Sequence, residues 1–216
     1  MAIQRTAPIT SCAACPAGRA AGVTSGGRCP FVDRRRRRDE LVCLQGEPAA
    51  TVWMIKRGTV VLSRTAADGT DRPHQLRGPG SFVGLEAVVQ GTYADTARAT
   101  EPSVLCGISR LDLDRWLGPA GSPSRMVLEQ TLRATVDEPV RPAGVDGPAV
   151  QRVARWLLDE LERAPRVQRR VLAALLGMTP ETLSRALARL GETGAIEHGR
   201  QRLAIVDRAR LEQMVA

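Results

Sequence analysis

Lysine is nearly absent from this chain: Lys56 is the single lysine among 31 Lys and Arg residues. Arginine therefore carries the net charge of +8. Such a bias reports genome composition as much as function. A positive balance favours a polyanionic partner, but the whole-chain value is weak ground for naming one. Histidine is scarce too. His74 and His198 are the only two, and neither has a plausible catalytic companion. No Ser/His/Asp set, glycine-rich phosphate loop or paired catalytic carboxylates are evident, so an enzyme is not expected. No apolar run reaches the length of a membrane span, so no membrane partner is expected. Ile9-Thr10-Ser11-Cys12 imitates a lipoprotein cleavage box, yet residues 1–9 hold no apolar h-region. The expected location is cytoplasmic, where thiols stay reduced and disulfide staples are not favoured. The five cysteines therefore need another explanation. No internal repeat is found.

The most informative stretch runs from Gly177 to Leu190 and reads as a turn followed by the second helix of a helix-turn-helix. Thr179 is a good N-cap, and Pro180 falls at the first helical position, where its missing N–H costs nothing. Leu183, Leu187 and Leu190 recur at helical spacing and face a core. Glu181, Ser184, Arg185 and Ala188 lie opposite. A small polar face at a helix N-terminus suits the major groove of double-stranded DNA, where Arg grips guanine, Glu accepts from cytosine and Ser serves either strand. Thr179, Glu181, Thr182, Ser184 and Arg185 are the candidate DNA-binding residues. The alternative is an ordinary amphipathic surface helix.

The surrounding pattern supports the DNA-binding reading. An apolar stripe from Val150 to Leu161 predicts a helix over 149–163. Gln168–Leu176 predicts a second helix, ending at Gly177 as a C-cap. Gly191 and Gly194 break the helical pattern. Ala195–His198 and Gln201–Val206 flank Gly199-Arg200, which reads as a two-residue hairpin turn. Asp207 is placed to cap a last helix to Met214. Together these elements make a winged helix over 149–216.

Upstream, short β-prone runs alternate with glycine. Leu41–Leu44, Thr51–Lys56, Thr59–Arg64 and Ser103–Ile108 are candidate strands, and many short strands at close spacing suggest a small antiparallel barrel or jelly roll. Residues 1–29 show no helical or strand period. The five-arginine run Arg34–Arg38 reads as a solvated strand or loop. Arg110–Leu117 and Ser124–Val136 read as helices, the second with an apolar stripe through Leu128, Leu132 and Thr135 or Val136 that suits a twin helix. Residues 139–148 read as a linker. The expected architecture is α+β: a cysteine-containing segment over 1–29, an antiparallel jelly-roll-like β-roll over 30–121, a dimerisation helix over 122–138, the linker, and the winged helix-turn-helix.

A β-roll, a connecting helix and a winged helix-turn-helix in this order resemble the CRP/FNR family of bacterial transcription regulators. The resemblance covers nearly the whole chain. It rests on Ile55-Lys56-Arg57-Gly58-Thr59-Val60, on Gly80-Ser81-Phe82-Val83-Gly84-Leu85-Glu86-Ala87, and on the helix from Pro180. Glu181-Thr182-Leu183-Ser184-Arg185 resembles the FNR type of DNA reader. That implies a TTGAT-like palindrome, with Arg185 and Glu181 on the G·C pair and Ser184 on neighbouring A·T pairs. It also implies a homodimer and RNA polymerase as a partner. Cyclic-AMP binders of the family hold the nucleotide phosphate with an Arg-Ser pair. Here the corresponding stretch is Tyr93-Ala94-Asp95-Thr96-Ala97-Arg98-Ala99, without that pair and with Asp95 set to repel a phosphate, so cyclic nucleotide is not the expected effector.

The cysteines resemble the FNR oxygen-sensor pattern: three near the N-terminus, the last followed by Pro-Phe, and a fourth in a β-roll strand. Cys12, Cys15, Cys29 and Cys106 occupy those places, which implies a 4Fe–4S cluster held by four thiolates and sensing oxygen or nitric oxide. The chain departs from the pattern in a longer loop between Cys15 and Cys29 and in lacking a helix after Pro30-Phe31. Its connecting helix is also short, about 20 Å. Cys43, inside Leu41-Val42-Cys43-Leu44, reads as a small core hydrophobe, with Cys43 in place of Cys29 as the open alternative. Two other readings of the thiols remain. Four thiolates also satisfy tetrahedral zinc, and a thiol–disulfide switch needs no metal. An oxidoreductase using Cys12 and Cys15 would need a strand and a helix N-terminus around them, and the Ala/Gly-rich surroundings suggest neither.

Overall fold

The structure, a computed structural model, describes residues 8–66, 68–119, 121–137, 147–161, 167–199 and 203–215. The chain divides into two compact units. One comprises Met1–Asp71 and Leu76–Val140, the other Arg72–Gln75 and Arg141–Ala216. Residues 139–146 of the expected linker, 139–148, lie outside the described residues, as does residue 138 of the expected dimerisation helix.

The first unit is the β-roll, although residues Arg72–Gln75 of its strand Asp71–Arg77 are grouped with the other unit. The strands of the roll are β1 (Val32–Arg36), β2 (Leu41–Cys43), β3 (Thr51–Arg57), β4 (Val60–Thr65), β5 (Asp71–Arg77), β6 (Phe82–Val83), β7 (Thr96–Ala99) and β8 (Ser103–Ser109). They form two four-stranded sheets in the orders β1-β8-β3-β6 and β2-β7-β4-β5. Pairing is antiparallel at β1–β8, β3–β8, β3–β6, β2–β7 and β4–β7. The Arg34–Arg38 run supplies most of β1, an edge strand whose side chains are largely exposed.

Strands β3 and β8 lie in the middle of the first sheet and are buried on both faces. Side chains of a strand alternate between faces, so the buried residues sort into two cores. Trp53, Ile55 and Leu105 face the second sheet and pack with Cys43, Val60, Leu62 and Ala97. Val52, Met54, Cys106 and Ile108 face the other way and pack with Cys15, Ala17, Phe31 and Leu113. Trp53 pairs directly with Gly107, and its ring takes the space of a residue-107 side chain: a Cβ there would sit 2.7 Å from the ring.

The outer core is covered by elements from both ends of the unit. The N-terminal segment holds α1 (Pro16–Ala20) and a 3-10 turn, Val23–Ser25, where no periodicity was expected. The Ile9 N–H donates to the Lys56 carbonyl at 2.8 Å, tying this segment to β3. From the other end come α2 (Ala87–Gln90), α3 (Arg110–Leu117) and α4 (Pro123–Asp137). Leu113 of α3 is buried in the outer core, and Leu117 and Leu132, the latter from α4, pack against it. Arg125 fixes α4 to α3 through Asp114 at 2.9 Å.

The second unit contains α5 (Ala149–Glu160), α6 (Arg169–Leu175), α7 (Pro180–Glu192), β9 (Ile196–His198), β10 (Leu203–Ile205) and α8 (Arg208–Gln213). Val153, Leu157, Leu172, Leu183, Leu187, Leu190 and Leu211 close its core. Asp207 caps α8, accepting from the Arg210 N–H at 2.9 Å. Helix α5 spans Ala149–Glu160 of its expected range, and residues 162 and 163 of that range lie outside the described residues. Two expectations need correction. Gly191 does not stop α7, which continues to Glu192; a single helical glycine costs only about 1 kcal/mol. The hairpin does not turn at Gly199-Arg200: a two-residue turn there would pair His198 with Gln201, and His198 pairs with Leu203 instead. Residues 200–202 lie outside the described residues.

Candidate nucleic-acid interface and cysteine site

Helix α7 starts where the sequence dictates. Thr179 has extended backbone, φ −76° and ψ 157°, and its Oγ1 accepts from the Thr182 N–H at 3.2 Å. This satisfies one of the N–H groups that a helix start leaves unpaired. The preceding turn is closed by Gly177 in left-handed conformation, φ +59°, and by the Met178 N–H donating to the Ala173 carbonyl at 2.9 Å. Leu183, Ala186, Leu187 and Leu190 are buried, while Glu181, Ser184, Arg185 and Arg189 are exposed on the other side. Thr182 is half-buried.

The exposed polar groups are organised before any partner arrives. Ser184 Oγ donates to the Pro180 carbonyl at 2.8 Å, and Arg185 Nη2 reaches Thr182 Oγ1 at 3.5 Å. The Glu181 carboxyl is held below the usual range by its own backbone N–H, the Thr179 hydroxyl and the nearby Arg185. A charged acceptor and a charged donor thus stand side by side at the positive end of the helix dipole. Two contacts were not legible beforehand. Arg169 Nη2 donates to the Gly199 carbonyl at 3.0 Å, linking the start of α6 to the hairpin turn. The His198 ring packs on Gly191, where a Cβ would approach it to 2.8 Å, so this histidine has a packing role.

The cysteines separate by sheet face. Cys15, 3% exposed, and Cys106, 4% exposed, belong to the outer core, and Cys29 packs against it. Cys43 belongs to the inner core, on the opposite side of the sheet. Burial, with Glu86, Asp95 and Glu47 near, pushes its thiol pKa up to about 12, which suits an inert core residue. Cys15 Sγ lies 3.9 Å from Met54 Sδ, and Met54 is the direct cross-strand partner of Cys106. Cys12 is exposed; its carbonyl accepts from the Cys15 N–H at 3.2 Å. Contrary to expectation, Cys15 does precede a helix, although α1 has only five residues. Among the described residues, no three His, Cys, Asp or Glu side chains form a ready metal site.

A polar contact adjoins Cys106 at the solvent edge of this core, where the Asp33 side chain is 57% exposed and the Lys56 side chain 9%. Its Sγ donates to Asp33 Oδ1 at 2.7 Å, across the β1–β8 register that pairs the two residues. Lys56 Nζ donates to both Asp33 oxygens at 3.1 Å. Burial, then the bond to Asp33, raises the Cys106 pKa. Asp33 is held below the usual carboxylate range by Cys106 and then Lys56, against its own burial. Burial opposes the Lys56 charge, but Asp33, Cys106 and Cys12 outweigh it and raise its pKa.

Two family models match: a cyclic nucleotide-binding domain over residues 33–118 and a Crp-like helix-turn-helix domain over 151–214. The cyclic AMP receptor protein of Thermus thermophilus is 28% identical over 184 residues, covering 79% of this chain and 82% of that one. The transcriptional regulatory protein btr of Bordetella pertussis is 24% identical over 189 residues, covering 78% and 75%. In fold, FixK2 from Bradyrhizobium japonicum superposes with a TM-score of 0.71, 24% identity, and coverage of 86% and 98%. The chain thus carries, in order, the two domains of a CRP/FNR-type DNA-binding transcription regulator.

Members of the CRP/FNR family vary in their ligands, and this chain's inner side has its own character. Asp95 is paired with Arg64 at 2.9 Å. Tyr93 is buried, donating its hydroxyl to the Thr51 carbonyl at 2.7 Å. Arg98 turns to the Asp39 carbonyl at 2.8 Å. Burial raises the Glu86 pKa. Among the described residues, no helix is long and apolar enough to cross a membrane.

The α7 cap gives a direct check. Thr179→Ala should lower unfolding stability by about 1 kcal/mol, measured by urea denaturation. An unchanged midpoint would contradict the capping role.

Proposed function

We propose that this CRP/FNR-type regulator is gated by a 4Fe–4S cluster on Cys12, Cys15, Cys29 and Cys106. The observation that carries the reading is the shared outer core of Cys15, Cys29 and Cys106, with Cys43 across the sheet. The donor set fits the group: four thiols from two chain segments are what such a cluster takes, and Phe31, Val52 and Met54 supply an apolar wall around them. A bound cluster would supply a centre sensitive to oxygen or nitric oxide. The protein does the rest. Leu132 of α4 packs on the same core as the cysteines, so ligation and α4 belong to one packed body. Met126 and Val127 of α4 are 54% and 62% exposed, an apolar surface suited to a second copy. We therefore assign α4 as the dimerisation helix and the working species as a cytoplasmic homodimer without enzymatic activity.

On the DNA side, Arg185 and Glu181 read a G·C pair and Ser184 the neighbouring A·T pairs of a TTGAT-like palindrome. Thr179 and Thr182 hold the two reading groups in place. RNA polymerase is the downstream partner. Cyclic AMP is not the proposed effector, because residues 93–99 lack the Arg-Ser pair that the resemblance would require and Arg64 is already committed to Asp95 at 2.9 Å.

Two experiments test these assignments. Arg185→Ala should cost about 1–3 kcal/mol on a TTGAT-type site and relax preference at the G·C pair, read by fluorescence anisotropy. Equal losses on specific and scrambled DNA would remove the base-reading role. For the cysteines, single Cys→Ser variants are reconstituted with iron and sulfide without oxygen. Changes at 12, 15, 29 and 106 should each abolish most cluster absorbance, while Cys43→Ser keeps it. Bleaching by Cys43→Ser but not Cys29→Ser would transfer the third ligand to Cys43.

A further inference from the structure

Cys106, Asp33 and Lys56 form a three-membered contact beside the cysteine site. One carboxylate oxygen, Asp33 Oδ1, receives both the Cys106 thiol at 2.7 Å and the Lys56 ammonium at 3.1 Å. Lys56 is 7% exposed. A chain that otherwise uses arginine for its positive charge thus keeps its single lysine here, buried, beside a candidate ligand. A lysine is a compact point charge on a flexible stem. Burying it is costly unless it is paired; its pair is Asp33, which takes both bonds from the ammonium at 3.1 Å while its own side chain stays half in solvent.

We propose that Lys56 and Asp33 are a charge-balancing pair that sets how firmly the cysteine site holds an anionic iron–sulfur group. The inference rests on the cluster reading given above. Four thiolates around a 4Fe–4S core leave a net negative charge, which a buried cation stabilises and a neighbouring carboxylate opposes. When Cys106 serves as a ligand, its proton has left to solvent and Asp33 no longer accepts from it. Asp33 then retains Lys56 alone, and the pair presents a nearly neutral wall to the sulfur. Removing either member upsets that balance in opposite directions. Lys56→Met leaves an uncompensated carboxylate beside Cys106. Asp33→Asn leaves a free cation and an amide N–H able to face the sulfur. Lys56→Arg keeps the charge.

The test uses full-length protein reconstituted anaerobically with iron and sulfide. Iron loss to a chelator and the midpoint potential are followed, with thermal unfolding of the metal-free variants measured alongside. Lys56→Met should lose iron about tenfold faster than the parent and show a lower potential. Asp33→Asn should lose iron no faster and show a higher potential. Lys56→Arg should restore most of the parent behaviour, and the double variant Lys56→Met/Asp33→Asn should return toward it. A purely structural pair predicts that both single variants unfold more easily and lose iron faster together, and that result overturns the proposal. So do potentials that do not move. If the parent protein takes up no iron, the cluster reading itself fails and the inference with it. If the parent loads and the variants shift in the same direction, only the inference fails.

Discussion

The middle strands of the first sheet, β3 and β8, are buried on both faces, and the arrangement of the first unit follows from that constraint. Their inner side chains, Trp53, Ile55 and Leu105, are covered by the second sheet. Their outer side chains, Val52, Met54, Cys106 and Ile108, need a different cover. Burying a large aliphatic side chain is worth about 1.5–3 kcal/mol, so this face cannot be left in water without loss. Among the described residues, the N-terminal segment, Phe31, Val88 of α2, Leu113 and Leu117 of α3 and Leu132 of α4 provide the cover. The cysteines therefore arrive where they do because an apolar face needed closing.

This layout also gives the cysteine site its consequences. Cys15 and Cys106 are within the same packed core as Leu113 and against Leu132. Packed interiors transmit displacement because they have few voids. The segment holding Cys15 and Cys29, and Leu132 of α4, thus contact one packed body, while Cys43 lies in the inner core. The inner side is itself occupied by polar commitments, the Asp95–Arg64 pair and the Tyr93 hydroxyl on Thr51. The two faces of one sheet carry different chemistry in the same domain.

Much of this was legible in residues alone, for identifiable reasons. Thr179-Pro180 followed by leucines at helical spacing fixes the start and buried face of α7, and Asp207 announces α8. The apolar runs of β3, β4 and β8 are long enough to declare themselves. Arg34–Arg38 reads as a solvated strand or loop, and its first three residues are in the exposed edge strand β1; the strands with no local signal are β5, polar and interrupted by Pro73, and the short β6 and β7. Helix α1 is too short to show a period. The separation of Cys43 from Cys106 follows from alternation once the strands are paired, since Leu105 and Cys106 point to opposite faces. The Asp33–Cys106 contact spans 73 residues of sequence and depends on the β1–β8 register, which no local pattern encodes. The cyclic-nucleotide character of the domain enters through its fold, while the residues at 93–99 argue for a different signal.

The measurement that bears most directly on this account is the iron and acid-labile sulfide content of the protein purified without oxygen, taken with its absorption spectrum. The account predicts a brown protein with about four iron and four sulfide per chain, bleached on exposure to air. A colourless protein holding zinc, or five free thiols and no metal, would contradict it.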